Sequence, residues 1–139
     1  MMKLTTPLLL LALLACYLPA QTAVAMNGTV SVTYDNGTMD TVDVAISGIE
    51  KPIKNANGQI IGGVFQGQLA VYGQTIQLRN TCKRLTVGES RHYYEELVVE
   101  GRRIRLSILL GHPQDPVFGS LDIADPLDPN NFGFGRGIL

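Results

Sequence analysis

The run Arg91-His92-Tyr93-Tyr94-Glu95-Glu96-Leu97-Val98-Val99-Glu100-Gly101-Arg102-Arg103-Ile104-Arg105-Leu106-Ser107-Ile108-Leu109-Leu110 decides the fold class. Its second half alternates. In an extended chain Ile104, Leu106, Ile108 and Leu110 share one face, and Arg103, Arg105 and Ser107 share the other. Glu100-Gly101 supplies a turn pair whose glycine accepts the left-handed backbone of a two-residue hairpin loop. That loop pairs Leu97 with Ile104 and Tyr93 with Ile108, and sets Glu96 across from Arg105 as an exposed ion pair. A three-residue loop would oppose Glu96 to Leu106, so the two-residue register is expected. It leaves Glu95 on the apolar face opposite Leu106, either solvated at a strand end or buried with a purpose.

The same logic works toward the N-terminus. Residues 29–34 alternate cleanly, Asp35-Asn36-Gly37 follows, and residues 38–46 resume the alternation. A three-residue loop pairs Val30 with Val42 and gathers Val44 and Ile46 on one face, whereas a two-residue loop pairs Val30 with Asp43. The longer loop also puts Gly37 at the left-handed position, and it costs an Asp40 opposite Val32. Residues 50–54 read as a weak edge strand because of Pro52. Asn57-Gly58 is a turn. Residues 59–65 and 69–72 read as strands, or as one strand bent at Gly62-Gly63 or Gly67. Gly73 leads into a strand at 75–78, and 81–87 is a further short candidate.

Toward the C-terminus, 112–116 is a loop and 117–123 a last strand. Residues 125–131 are rich in turn formers, and the Gly-punctuated end 132–139 is mobile unless docked. No segment carries a helical apolar stripe over three turns, and no repeat is visible. The expected fold is all-β: a small antiparallel β-sandwich or partly open β-barrel of about seven to nine short strands joined by hairpins.

The start of the chain has the layout of a secretory signal peptide. A basic Met1-Met2-Lys3 precedes an apolar run, Pro19 breaks it, and Ala23-Val24-Ala25 offers a small-x-small cleavage pattern. The expected organisation is a leader at 1–25, a β-domain at 26–124 and a Pro/Asp/Gly-rich segment at 125–139. Leu13-Leu14-Ala15-Cys16 reads alternatively as a lipoprotein box with Cys16 lipidated. Either way the protein is expected to be exported: periplasmic or secreted, or held at a membrane only through Cys16.

The chain has 11 basic and 12 acidic residues. That balance argues against a nucleic-acid binder, whose footprint is strongly basic. Cys82 is the one cysteine left after the leader, so no disulfide framework is expected. Cys82 with His92 or His112 makes no nucleophile–base arrangement, since no orienting partner adjoins either histidine. Asp122, Asp125, Asp128, Asn130 and Asn131 offer oxygens to calcium. Read as an EF-hand loop, though, the run from Asp128 ends at Leu139, where a bidentate Glu belongs. Asn27-Gly28-Thr29 and Asn36-Gly37-Thr38 match the N-glycosylation acceptor pattern and are as well explained as turns. No catalytic set, metal site or cofactor is expected.

Positive charge concentrates in the second half, in Lys83, Arg84, Arg91, Arg102, Arg103 and Arg105. The expected role is non-catalytic: binding or inhibiting another protein, or assisting an envelope or surface assembly. The partner is then a protein or an anionic surface component, met by strand-addition contacts. The candidate binding residues are Arg103 and Arg105 on one strand face, Tyr93 and Tyr94, and Phe132 and Phe134 in the tail. Two other classes remain: a small-ligand or lipid carrier with an apolar barrel interior, and a hydrolase using Glu95 or Cys82.

Overall fold

A computed structural model describes residues 21–82, 90–111 and 117–139 of the 139-residue chain. The described residues hold eight strands and no helix: β1 (Thr22–Tyr34), β2 (Met39–Lys54), β3 (Ile60–Val71), β4 (Gln74–Cys82), β5 (Arg91–Val99), β6 (Arg102–Leu110), β7 (Val117–Asp128) and β8 (Asn131–Ile138). They form one antiparallel sheet in the order β4-β3-β2-β1-β8-β7-β6-β5. Two four-stranded meanders therefore meet where β1 pairs with β8, through Thr33–Phe134 and Tyr34–Gly133. The sheet curls into a nearly closed barrel whose seam lies between β4 and β5. Polar side chains cross that seam: Asn80 Nδ2 donates to the Tyr94 carbonyl, and Gln74 Nε2 donates to Glu100 Oε1 at 2.8 Å.

The two hairpin registers read from the sequence are present. Leu97 faces Ile104, Tyr93 faces Ile108 and Glu96 faces Arg105. Glu100 and Gly101 both take positive φ, 51° and 79°, the backbone of a type I′ turn that matches the strand twist. In the first hairpin Val30 faces Val42, and Gly37 closes the three-residue loop with φ 85°. Asn36 Oδ1 accepts from the Thr38 amide at 2.9 Å, so this Asn-Gly-Thr is occupied in turn geometry.

Two elements differ from expectation, and the 60–71 stretch takes the second of its two readings. Residues 39–54 form a single long strand, not a strand followed by an edge piece. Pro52 is tolerated because β1 reaches β2 only as far as the Thr22–Glu50 pair, so that side of β2 has no partner beyond it among the described residues. The 60–71 stretch is one strand, with Gly48 paired to Gly67 and the Phe65 ring close over both. The segment 125–139 is part of the barrel: it supplies the end of β7 and all of β8. The signal-peptide boundary read at Ala25 lies inside β1. Cys16, Lys83, Arg84, His112 and most of the 81–87 candidate lie outside the described residues.

β8 belongs in the sheet because of what it lacks. Gly133, Gly135 and Gly137 all point inward, and a Cβ on Gly135 would lie 2.4 Å from the Ser31 carbonyl oxygen. Only a strand bare on its inner face can lie so close to β1. The large residues Phe132, Phe134, Arg136 and Ile138 are consequently all outside.

The interior is filled by the chain itself, as is usual in an eight-stranded barrel. Val24, Val30, Val32, Val44, Ile46, Phe65, Leu69, Ile104, Leu106, Ile108, Leu110, Leu121 and Ile123 belong to one continuous buried cluster. Polar residues plug its two ends.

Candidate functional site

At the end of the barrel that holds the β2–β3 turn, Glu50 is fully buried and fully satisfied. Arg91 reaches it with Nε to Oε2 and Nη2 to Oε1, both 2.7 Å, and the Tyr93 hydroxyl donates to Oε2 at 2.7 Å. Glu50 stands on β2 and its two partners stand on β5, so the cluster clasps the two meanders across the seam. The Glu50 hydrogen bond raises the Arg91 pKa, and burial together with the same carboxylate pushes the Tyr93 hydroxyl well up. Gly63 leaves the space in which Tyr93 Oη sits, since a Cβ there would come within 2.2 Å of it.

The opposite end repeats the theme. Asp125 is buried, accepts from the Tyr34 hydroxyl at 2.7 Å and from Arg102 Nε at 3.1 Å, and its Oδ1 has no donor among the described residues. Arg102 lies over the Tyr72 ring with its guanidinium carbon 4.0 Å from the centroid. The hydrogen bond to Asp125 and burial raise the Tyr34 pKa strongly, and burial raises that of Tyr72.

Internal contacts satisfy Glu50 fully and Asp125 at one oxygen, and both clusters tie the two meanders together at their ends of the barrel. They also lead us to expect an alkaline limit to stability. Tyr34, Tyr72 and Tyr93 keep their protons in the fold beyond the ordinary tyrosine value of about 10, while the unfolded chain releases them there. The unfolded state then binds fewer protons, so stability is full below that pH and declines as pH rises through it. Absorbance from these three tyrosinates is expected to appear cooperatively with unfolding; titration of all three near the ordinary value, with the fold intact, would contradict this.

The outside of β5–β8 is different in character. Its outward side chains line up across the strands in rows given by the registers. One row runs Phe134, Ala124, Arg103, Val98; the next runs Arg136, Asp122, Arg105, Glu96; the third runs Ile138, Ser120, Ser107, Tyr94. The middle row alternates in charge. Arg136 forks onto Asp122 at 2.6 and 3.0 Å, and Arg105 Nε lies 3.4 Å from Glu96. Arg103 makes no ion pair among the described residues.

These rows enclose a groove of about 470 Å³ lined by Arg103, Arg105, Asp122, Ala124, Pro126, Phe132, Phe134 and Arg136. It brings three arginines and one carboxylate beside two exposed phenylalanines, Phe132 at 44% and Phe134 at 49% of full exposure. Val98 and Ile138 extend the apolar surface on either side.

Four of the sequence-derived binding residues, Arg103, Arg105, Phe132 and Phe134, thus meet in one groove. Tyr94 lies on the same outer face, its hydroxyl donating to Glu96 Oε1 at 2.6 Å, which raises its pKa. Tyr93 does not belong with them. It shares the parity of Val99, points into the core and is spent on Glu50. Sequence reasoning does not reach Arg136, Asp122, Ala124 and Pro126 as neighbours of the site, because alternation within single strands does not say that β7 and β8 follow β6 in the sheet.

The residues named for other chemistries are dispersed. Glu95 is half-buried with its pKa raised by burial, but the fully buried carboxylates are Glu50 and Asp125. Cys82 is a free, half-buried thiol at the end of β4, and His92 Nε2 pairs with Ser107 Oγ at 3.2 Å on the outer face. Asp122 holds Arg136, and Asp128 Oδ1 caps the Asn130 amide at 2.9 Å. Comparison with known proteins found no match to this chain among family models, curated proteins or solved structures.

Proposed function

We propose that this is an exported, non-catalytic binding protein whose outer β6–β8 groove docks an acidic segment of a partner protein. One observation carries the reading: the large apolar residues of β8 face outward, beside Arg103, Arg105 and Arg136, while its inner face is glycine. Exposed aromatics next to arginine are what energetic centres of protein interfaces are made of. The charge balance of the groove favours an anion, since Arg136 is paired with Asp122 and Arg105 with Glu96, and Arg103 has no ion-pair partner among the described residues. The packed interior gives the carrier alternative no support, and neither Glu95 nor Cys82 has an assembled partner among the described residues.

The test is binding of an acidic peptide probe, a short chain of alternating Glu and Leu, at low and high salt. Arg103→Gln with Arg105→Gln is expected to weaken binding about tenfold and to reduce its salt dependence, with the thermal midpoint almost unchanged because both side chains are exposed and no like charge is set beside Asp122 or Glu96. Phe134→Ala is expected to weaken binding with the salt dependence retained. Equal affinity in all three proteins would refute the reading.

A further inference from the structure

The motif that reads as the signal-peptide cleavage site is itself a structural part of the barrel. Ala23, Val24 and Ala25 pair with Ile49, Gly48 and Ser47 of β2 in unbroken register, preceded by Thr22 opposite Glu50. Val24 points inward, is 2% exposed and belongs to the core cluster, while Ala23 and Ala25 point outward. The small-x-small pattern is therefore accounted for by strand alternation, with one apolar residue in and two small residues out.

Cleavage after Ala25 would discard this piece. It would strip β2 of its β1 partner at Ser47–Glu50, leave the Val24 place in the core unfilled, and open a path for water beside the buried Glu50 carboxylate. The new amino terminus would fall on Met26, whose side chain packs against the core beside Gly119. A charged ammonium there sits badly next to a half-buried apolar side chain.

We infer that the leader is cut N-terminal to Thr22, so that the exported protein keeps Thr22–Ala25 as the first residues of β1. Of the two boundaries readable in the sequence, the one at Cys16 leaves β1 whole and the one at Ala25 does not. The inference rests on the reading that the chain is exported.

The experiment is the intact mass of the protein recovered from membrane and soluble fractions of its native host, for the wild type and for Ala25→Asp. Ala25 is exposed, so the substitution spares the core, but an acidic residue at the position before the cut blocks cleavage after it. The expected result is a first residue between Cys16 and Thr22, with or without lipid on Cys16, and processing of Ala25→Asp as complete as that of the wild type. A wild-type chain beginning at Met26, or Ala25→Asp accumulating uncut, would overturn the inference while leaving export intact. A wild-type chain recovered whole from Met1 would overturn it together with the export reading.

Discussion

Arg91→Ala is expected to cost about 3–5 kcal/mol, the usual loss when one member of a buried ion pair is removed and the other charge is stranded. Glu50 is at 0% exposure and takes two of its three hydrogen bonds from Arg91, so no water can replace the guanidinium without entering the barrel. A domain of this size holds only about 5–15 kcal/mol in total, so the variant should unfold at a much lower urea concentration. The loss should be concentrated at the seam, because no hydrogen-bonded ladder joins β4 to β5 among the described residues, and the two meanders are held together there by this β2–β5 clasp and a few polar contacts. Replacing the whole cluster, with Glu50→Leu, Arg91→Met and Tyr93→Phe together, should recover most of the stability, since no charge is then left alone. A urea midpoint for Arg91→Ala within error of the wild type would mean that Glu50 is not buried as described.

Gly135→Val should cost about 3 kcal/mol, at the upper end of the usual range for overpacking. The conflict is with backbone: the Ser31 carbonyl oxygen stands 2.4 Å from where the new Cβ would lie, and a Val30 methyl is 3.0 Å away. Neither can move aside without parting β1 from β8, so amide exchange should rise along both strands. The outward neighbour gives the contrast, because Phe134→Ala leaves a 49%-exposed position and should barely change stability. Equal stability of Gly135→Val and wild type would detach β8 from the account, and the groove with it.

The parts of the fold that were legible in the sequence are those fixed by local pairing. Both hairpin registers followed from which side chains each loop length would bring face to face, a constraint that acts within twenty residues. The buried polar residues were legible in principle, by parity alone. Val42, Val44 and Ile46 point inward, and continuing that count reaches Glu50. Leu121 and Ile123 continue to Asp125. The count breaks because Gly48, Pro52 and Pro126 look like strand ends, and only the tertiary fold reveals that β1, β3 and β8 cover these stretches. The partners of the buried carboxylates were out of reach, since Arg91 lies 41 residues from Glu50 and Tyr34 lies 91 from Asp125.

The site was half legible for a related reason. Arg103 and Arg105 share a strand face by simple alternation. Phe132 and Phe134 looked like a loose tail because glycine at every second position reads as flexibility. Here it is a strand that has given up its inner side chains to let β1 approach. An alternation of glycine with large residues is the signal that would have placed β8 in the sheet and its aromatics outside.

The proposed docking role is tested most directly by amide and arginine Nε chemical-shift mapping of the full chain during titration with the Glu–Leu peptide. The account predicts shifts confined to Arg103, Arg105, Ala124, Phe132, Phe134 and Arg136, fading as salt is raised. Shifts centred on another face of the barrel, or none at low salt, would contradict it.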